Sequence, residues 1–240
     1  MNPNGWEQHL FPARLDCRYL LDTPKDLQGP PALIVALHGY SSNPGDMLRL
    51  TRAASGSAPV VASIQAPNQH YLSERPQGGR PVPAYNWGIS PHWDSTVRLH
   101  HDMVLEVLAA LRKRFGVGAE RCVLAGFSQP VGLNYRFAAT HPDEIRGVIG
   151  ICGGIPRDWH EPKYKPVTAA VLHISRDEDE FYPVATASGF GDRLRERASD
   201  VEFHMLAGPH RFPSQAGAIV RPWLKRIFGE QQKAGGGPPT

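Results

Sequence analysis

The chain has 240 residues, 41% of them hydrophobic and 20% charged, with a formal net charge of +3. Ordinary apolar content and small net charge exclude wholesale disorder, and 26 basic against 23 acidic residues with no basic block exclude a strongly electrostatic nucleic-acid binder. Gly and Pro number 24 and 23, against about 29 together at average usage, so many turns and at least one long loop are expected.

The opening stretch, MNPNGWEQHLFPARL, lacks a basic segment followed by an apolar one, so no secretory leader is expected. No run approaches the ~18 apolar residues of a membrane span, so no integral membrane association is expected. Cys17, Cys122 and Cys152 are odd in number, far apart and form no C-x-x-C pair. Neither a disulfide framework nor a zinc site follows, and a reduced cytoplasm is the expected compartment.

Residues 13–21 alternate weakly and predict antiparallel edge strands. Apolar runs follow at 32–37 (ALIVAL), 60–64 (VVASI), 122–125 (CVLA), 148–151 (VIGI) and 169–174 (AAVLHI), with a sixth at 201–206 (VEFHML). Near-continuous runs of this length suit strands buried on both faces of a parallel sheet. Helical patterns occupy 94–115, 128–139, 183–198 and 214–228. Strands alternating with helices predict an α/β protein, a mostly parallel, doubly wound sheet with helices on both faces.

Residues 68–92 carry Pro, Gly and aromatics without periodicity and read as one long loop, a feature usually tied to function. Its Tyr71, Tyr85 and Trp87 belong either beneath the loop or on the rim of a substrate pocket. Residues 229–240 (GEQQKAGGGPPT) read as a flexible tail. One domain over 1–228 is the expected organisation.

The 122–125 run leads into Gly126-Phe127-Ser128-Gln129-Pro130 and then a helical pattern. This is nearly G-x-S-x-G, the sharp strand-to-helix turn that lifts a serine hydroxyl above a sheet edge and beside free backbone N–H groups. A nucleophilic serine needs a base, and the base needs an orienting acid. Asp177 and Asp179 follow the fifth strand in SRDEDEFYP, and His210 follows the sixth in AGPHRFP. All lie at carboxyl ends of predicted strands, where open α/β sheets place their sites. His38-Gly39-Tyr40 follows the first strand and offers a second oxyanion donor.

The segments LHGYSSNPGDM, GFSQ, DEFYP and GPHRFP together resemble the small, lidless carboxylesterase/phospholipase/thioesterase branch of the α/β-hydrolases, which includes dienelactone-hydrolase-like proteins. The resemblance covers about residues 32–228 and implies an α/β-hydrolase fold with no separate cap domain. It also implies Ser128 as nucleophile, His210 as base and the backbone N–H groups of Tyr40 and Gln129 as the oxyanion hole. The family spacing D-x-x-x-P matches Asp179 and Pro183, so Asp179 is the preferred acid and Asp177 the alternative. The sequence departs from the pattern at Pro130, where the family has Gly. Proline lacks an N–H but falls in the first helical turn, where N–H groups are free, so the turn is expected to survive.

The activity so implied is hydrolysis of carboxylic esters of small or soluble substrates through an acyl-enzyme, with no cofactor and no metal. Tyr85, Trp87 and Phe181 are candidate substrate contacts. The expected partner is a small-molecule ester, with a homodimer left open. Thioester, lysophospholipid or peptide-type hydrolysis on the same residues is the rival activity, and a non-catalytic binding protein on the same fold is the rival of another class. His38 reads as a shaper of the oxyanion loop, Cys152 as a small packed residue and His100-His101-Asp102 as a core-edge group rather than a metal site.

Overall fold

A computed structural model describes residues 5–7, 9–27, 29–72, 79–88 and 92–229. The strands are β1 (Tyr19–Asp22), β2 (Leu33–Leu37), β3 (Val60–Ile64), β4 (Asn68–Tyr71), β5 (Pro83–Asn86), β6 (Cys122–Phe127), β7 (Gly147–Ile151), β8 (Ala170–Glu178) and β9 (Val201–Pro209). The helices are α1 (Pro44–Ser55), α2 (Trp93–Phe115), α3 (Val131–Thr140), α4 (Val184–Ala187), α5 (Phe190–Arg195) and α6 (Ala216–Gly229).

Seven strands form one sheet in the order β1-β3-β2-β6-β7-β8-β9, parallel except for β1. The first five apolar runs are its interior strands and the sixth is the half-buried edge strand β9; β2, β3 and β7 are buried at every residue. Burial on both faces follows from two cores. One packs α2, α3 and α5 against one face of the sheet through Val104, Leu108, Leu133, Phe137 and Leu194. The other packs α1 and α6 against the opposite face through Met47, Val220, Trp223 and Ile227.

The predicted elements differ from this fold in four places. The weak alternation at 13–21 gives one antiparallel edge strand, β1, rather than several. Helix α1 goes beyond the predicted set. Asn43 caps it by accepting from the Asp46 N–H, and Pro44 opens it, a start signal present in the sequence. The pattern at 183–198 forms two short helices that break at Ser188–Gly189, where glycine disfavours continuation. The segment 68–92 is not a featureless loop, because β4 and β5 pair as an antiparallel hairpin from Asn68↔Asn86 to Tyr71↔Pro83. The tail beyond Gly229 lies outside the described residues. Among the described residues no helix is long and apolar enough to cross a membrane.

Candidate active site

Ser128 follows β6 directly, with φ at +63°, and α3 starts three residues later. A left-handed backbone costs a non-glycine residue roughly 1–2 kcal/mol. Neighbouring bonds hold it there: the Ser128 N–H donates to the Ile151 carbonyl at 2.8 Å and the Val131 N–H donates to the Ser128 carbonyl at 3.1 Å. Pro130 caps α3 with φ of −76°, and its carbonyl accepts from the Asn134 N–H at 2.8 Å. Close packing of α3 is secured by another glycine. A Cβ on Gly153, just past β7, would lie 2.3 Å from the Val131 Cβ and 2.8 Å from the Ser128 carbonyl oxygen.

The expected base and acid, His210 and Asp179, come from the ends of β9 and β8. Ser128 Oγ lies 2.8 Å from His210 Nε2, and His210 Nδ1 lies 2.7 Å from Asp179 Oδ2. An ionised carboxylate only accepts, so Nδ1 carries the ring proton and Nε2 is free to accept from the serine. The other Asp179 oxygen accepts from the Phe181 and Tyr182 N–H groups, both at 2.9 Å, which fixes the carboxylate. Its side chain is 1% exposed and that of His210 is 9% exposed, so the hydrogen bond between them is shielded from water.

Asp177 does not reach the imidazole; it accepts from the Gly208 N–H at 2.8 Å. A register shift between Arg176 and Glu178 in the β8–β9 ladder separates the two carboxylates. Glu180, which the sequence reading did not single out, accepts from the His210 backbone N–H at 3.1 Å. Its carboxyl is held below the usual range by its own backbone N–H and by that of His210. Three acids at the end of β8 and just beyond it thus grip the end of β9 and His210 at successive points.

The loop expected to carry an oxyanion donor runs from His38 to Ser41. His38 is buried, its Nε2 accepts from the Ala66 N–H at 3.1 Å, and its Nδ1–H therefore donates to the Gly39 carbonyl at 2.8 Å. Burial pushes its pKa down and keeps the ring neutral. Gly39 allows the loop to approach the serine: a Cβ there would lie 3.2 Å from the Phe127 carbonyl oxygen and 3.3 Å from the Ser128 Cβ. Among the described residues, no backbone group accepts from the Tyr40 or Gln129 N–H.

The three candidate substrate contacts separate. Phe181 is 68% exposed and meets the His210 ring edge-on at 4.7 Å. Tyr85 is half-buried, edge-on to His38 at 6.2 Å. Trp87 is corrected: it is 1% exposed, inside the α2/α3 core, and its Nε1–H donates to the His38 carbonyl at 2.8 Å, so it supports the loop from beneath.

Cys152 is buried at φ +48°, and its Sγ, the Asp179 carboxylate and the His210 ring offer ligand atoms within 4.8 Å of one another. Burial and then Asp179 push its thiol up to about 12, and the nearby Arg176 cation partly offsets them. A thiol so protonated, beside a buried arginine, is poorly disposed to a cation. His100 and His101 are both buried, with ring centroids 5.5 Å apart. A cleft of about 790 Å³ between Pro24, Ser57, Arg121 and Lys225 opens at the opposite ends of the strands. The half-buried serine does not line it.

Comparison with known proteins agrees with this architecture. The solved structure of esterase PE8 superposes with a TM-score of 0.71 at 21% identity, covering 89% of this chain and 100% of that one. The Bacillus cereus carboxylesterase gives 0.66 at 16% identity, over 88% and 95% of the two chains. Zea mays acyl-protein thioesterase 2 gives 0.65 at 18% identity, over 88% and 99%. At these identities the likeness establishes the fold, the α/β-hydrolase fold without a separate cap domain. No curated protein matches in sequence. The family described as phospholipase/carboxylesterase matches residues 27–227. With that match over most of its length and the fold of known esterases, the chain belongs to the phospholipase/carboxylesterase family of ester hydrolases.

Proposed function

We propose that the protein is a serine hydrolase that cleaves carboxylic esters of small or soluble substrates through an acyl-enzyme. The observation that carries this reading is the unbroken chain from Ser128 Oγ through His210 to Asp179, at 2.8 and 2.7 Å. His210 Nε2 takes the serine proton as Oγ attacks the ester carbonyl. The carbonyl oxygen becomes an oxyanion held by the Tyr40 and Gln129 N–H groups, each worth about 3 kcal/mol of barrier. His210 then returns the proton to the leaving alcohol, and a water repeats both steps on the acyl-enzyme. Asp179 keeps the ring in the required tautomer and stabilises the imidazolium.

The preference for small or soluble esters rests on the β7–β8 connection. It carries no helix and is bound down by Arg136 and Arg197, so it adds no apolar roof over the serine. One structural neighbour bears the name of an acyl-protein thioesterase, and a thioester would meet the same groups here. A fluorophosphonate probe tests the mechanism: wild type is labelled and Ser128→Ala is not. A series of p-nitrophenyl esters tests the substrate, with acetate and butyrate expected to turn over faster than long acyl chains. An unlabelled wild type would instead mark a binding protein on a hydrolase fold, and faster long-chain turnover would overturn the size preference.

A further inference from the structure

One short segment touches both halves of the oxyanion hole. Residues 85–88, at the end of the β4–β5 hairpin, bond to the Tyr40 side and to the Gln129 side. On the Tyr40 side, the Tyr85 N–H donates to the Ser42 carbonyl at 2.9 Å, and the Trp87 indole donates to the His38 carbonyl at 2.8 Å. On the other side, the Gln129 side chain grips the segment twice. Its Oε1 accepts from the Trp87 N–H at 2.9 Å, and its Nε2 donates to the Gly88 carbonyl at 2.8 Å.

The hairpin adds a further tie through His70 on β4. His70 Nε2 lies 2.9 Å from Ser41 Oγ, and its Nδ1 lies 3.3 Å from the Asn86 amide nitrogen. This looks like a second serine–histidine pair, but the proton is on the wrong nitrogen for a base. The Asn86 Oδ1 accepts from the Gly88 N–H at 3.1 Å, which turns the amide NH2 towards His70. Nδ1 must therefore accept, Nε2 must carry the hydrogen, and Ser41 Oγ receives it. The Tyr40 ring stacks on the same imidazole at 5.5 Å, and Ser41 sits at φ +58°. A left-handed serine beside an oxyanion donor needs an external hold.

We propose that the hairpin is a splint that sets the spacing of the two oxyanion N–H groups, with His70 and the Gln129 side chain as its anchors. Neither side chain touches the reacting atoms; both are positioning residues. This rests on the hydrolase reading above and deepens it. An oxyanion donor acts only where the tetrahedral oxygen will sit, and a misplacement of about 1 Å can cost about 100-fold in rate. Loosening the splint should therefore lower kcat and leave KM nearly unchanged.

The test compares wild type, His70→Ala, His70→Gln and Gln129→Leu, each normalised to active sites counted by fluorophosphonate titration. Gln129→Leu keeps its backbone N–H and loses only the two side-chain bonds. The expected result is a kcat loss of roughly 10-fold or more in His70→Ala and Gln129→Leu, with KM within about twofold. Affinity for an alkyl boronic acid, whose serine adduct is tetrahedral, should fall by the same factor as kcat/KM. His70→Gln, whose amide can still donate to Ser41 Oγ, should recover most of the loss. Unchanged kcat per site and unchanged boronate affinity in both variants would overturn the splint. So would a loss confined to the fraction of titratable sites, which marks a folding role. An unlabelled wild type would instead fail the hydrolase reading itself, so the two failures are told apart.

Discussion

Asp177 and Asp179 stand two residues apart and both accept hydrogen bonds from the histidine loop, yet only Asp179 meets the imidazole. Asp179→Asn would leave the shape intact and favour the wrong tautomer of His210, as an amide can donate where the carboxylate only accepts. A kcat loss on the order of 10⁴ is expected from steady-state ester hydrolysis. Asp177→Asn keeps an oxygen for the Gly208 N–H and should lose less than about 10-fold, the size of one altered surface hydrogen bond. A ranking the other way would move the acid's role to Asp177. Spacing to Pro183 favours Asp179 in the sequence, but what separates the two carboxylates physically is a register shift in β8, and no local residue pattern announces that.

At the scale of elements, the β7–β8 connection is fastened by charge. The Arg197 guanidinium donates to the carbonyls of Trp159, Tyr164 and Glu161, and Arg136 pairs with Asp158. Partial burial is the largest single influence on the Asp158 carboxyl and pushes its pKa up, but Lys163, Tyr164 and Arg136 together outweigh it and hold the pKa down at about 2. Arg197→Lys loses the planar fork that reaches three carbonyls, and about 2 kcal/mol of stability should go with it. Thermal denaturation reads that loss, and limited proteolysis should show new cleavage within 156–166; an unchanged digestion pattern would mean the segment is held without Arg197.

The elements also differ in how legible they were. The central strands could be read because burial on both faces demands unbroken apolar runs such as LIVAL. The hairpin could not, because NQHY and PAYN carry no apolar alternation and bury little beyond Ala84 and Tyr85, so bonds to the site do much of the fixing. Helix α1 buries few large apolar side chains, Met47 chief among them, so its cap was a stronger signal than its pattern. Trp87 showed its aromatic character in the sequence but not its side of the loop, which long-range contact with His38 decides.

The whole molecule buries several neutral histidines, and this sets its response to acid. His173 is 0% exposed, hydrogen-bonded to Tyr135 Oη at 2.6 Å and Ser175 Oγ at 3.0 Å, and burial lowers its pKa to about 3. Burial also pushes His101 to about 4 and His100 well down. An unfolded histidine takes its proton near pH 6.5, about three units before His173 does in the fold. The stability from each such group is therefore full above about pH 6.5 and is lost as pH falls towards the folded value. For His173 alone the loss by pH 5 is about 2 kcal/mol. Melting temperature should fall steeply between pH 7 and 5, with a shallower slope in His173→Gln; equal slopes would show that this ring does not govern the decline.

Three described non-glycine residues hold a positive φ: Ser41, Ser128 and Cys152. All three border the same few atoms, one beside Tyr40, one as the serine itself and one against Asp179 and His210. Glycine would relax the backbone at each of them. A lineage selected for heat resistance alone would therefore find its easiest improvements inside the site and would drift towards a sturdier, silent protein. Serine at position 128 thus carries a backbone cost that folding alone does not call for.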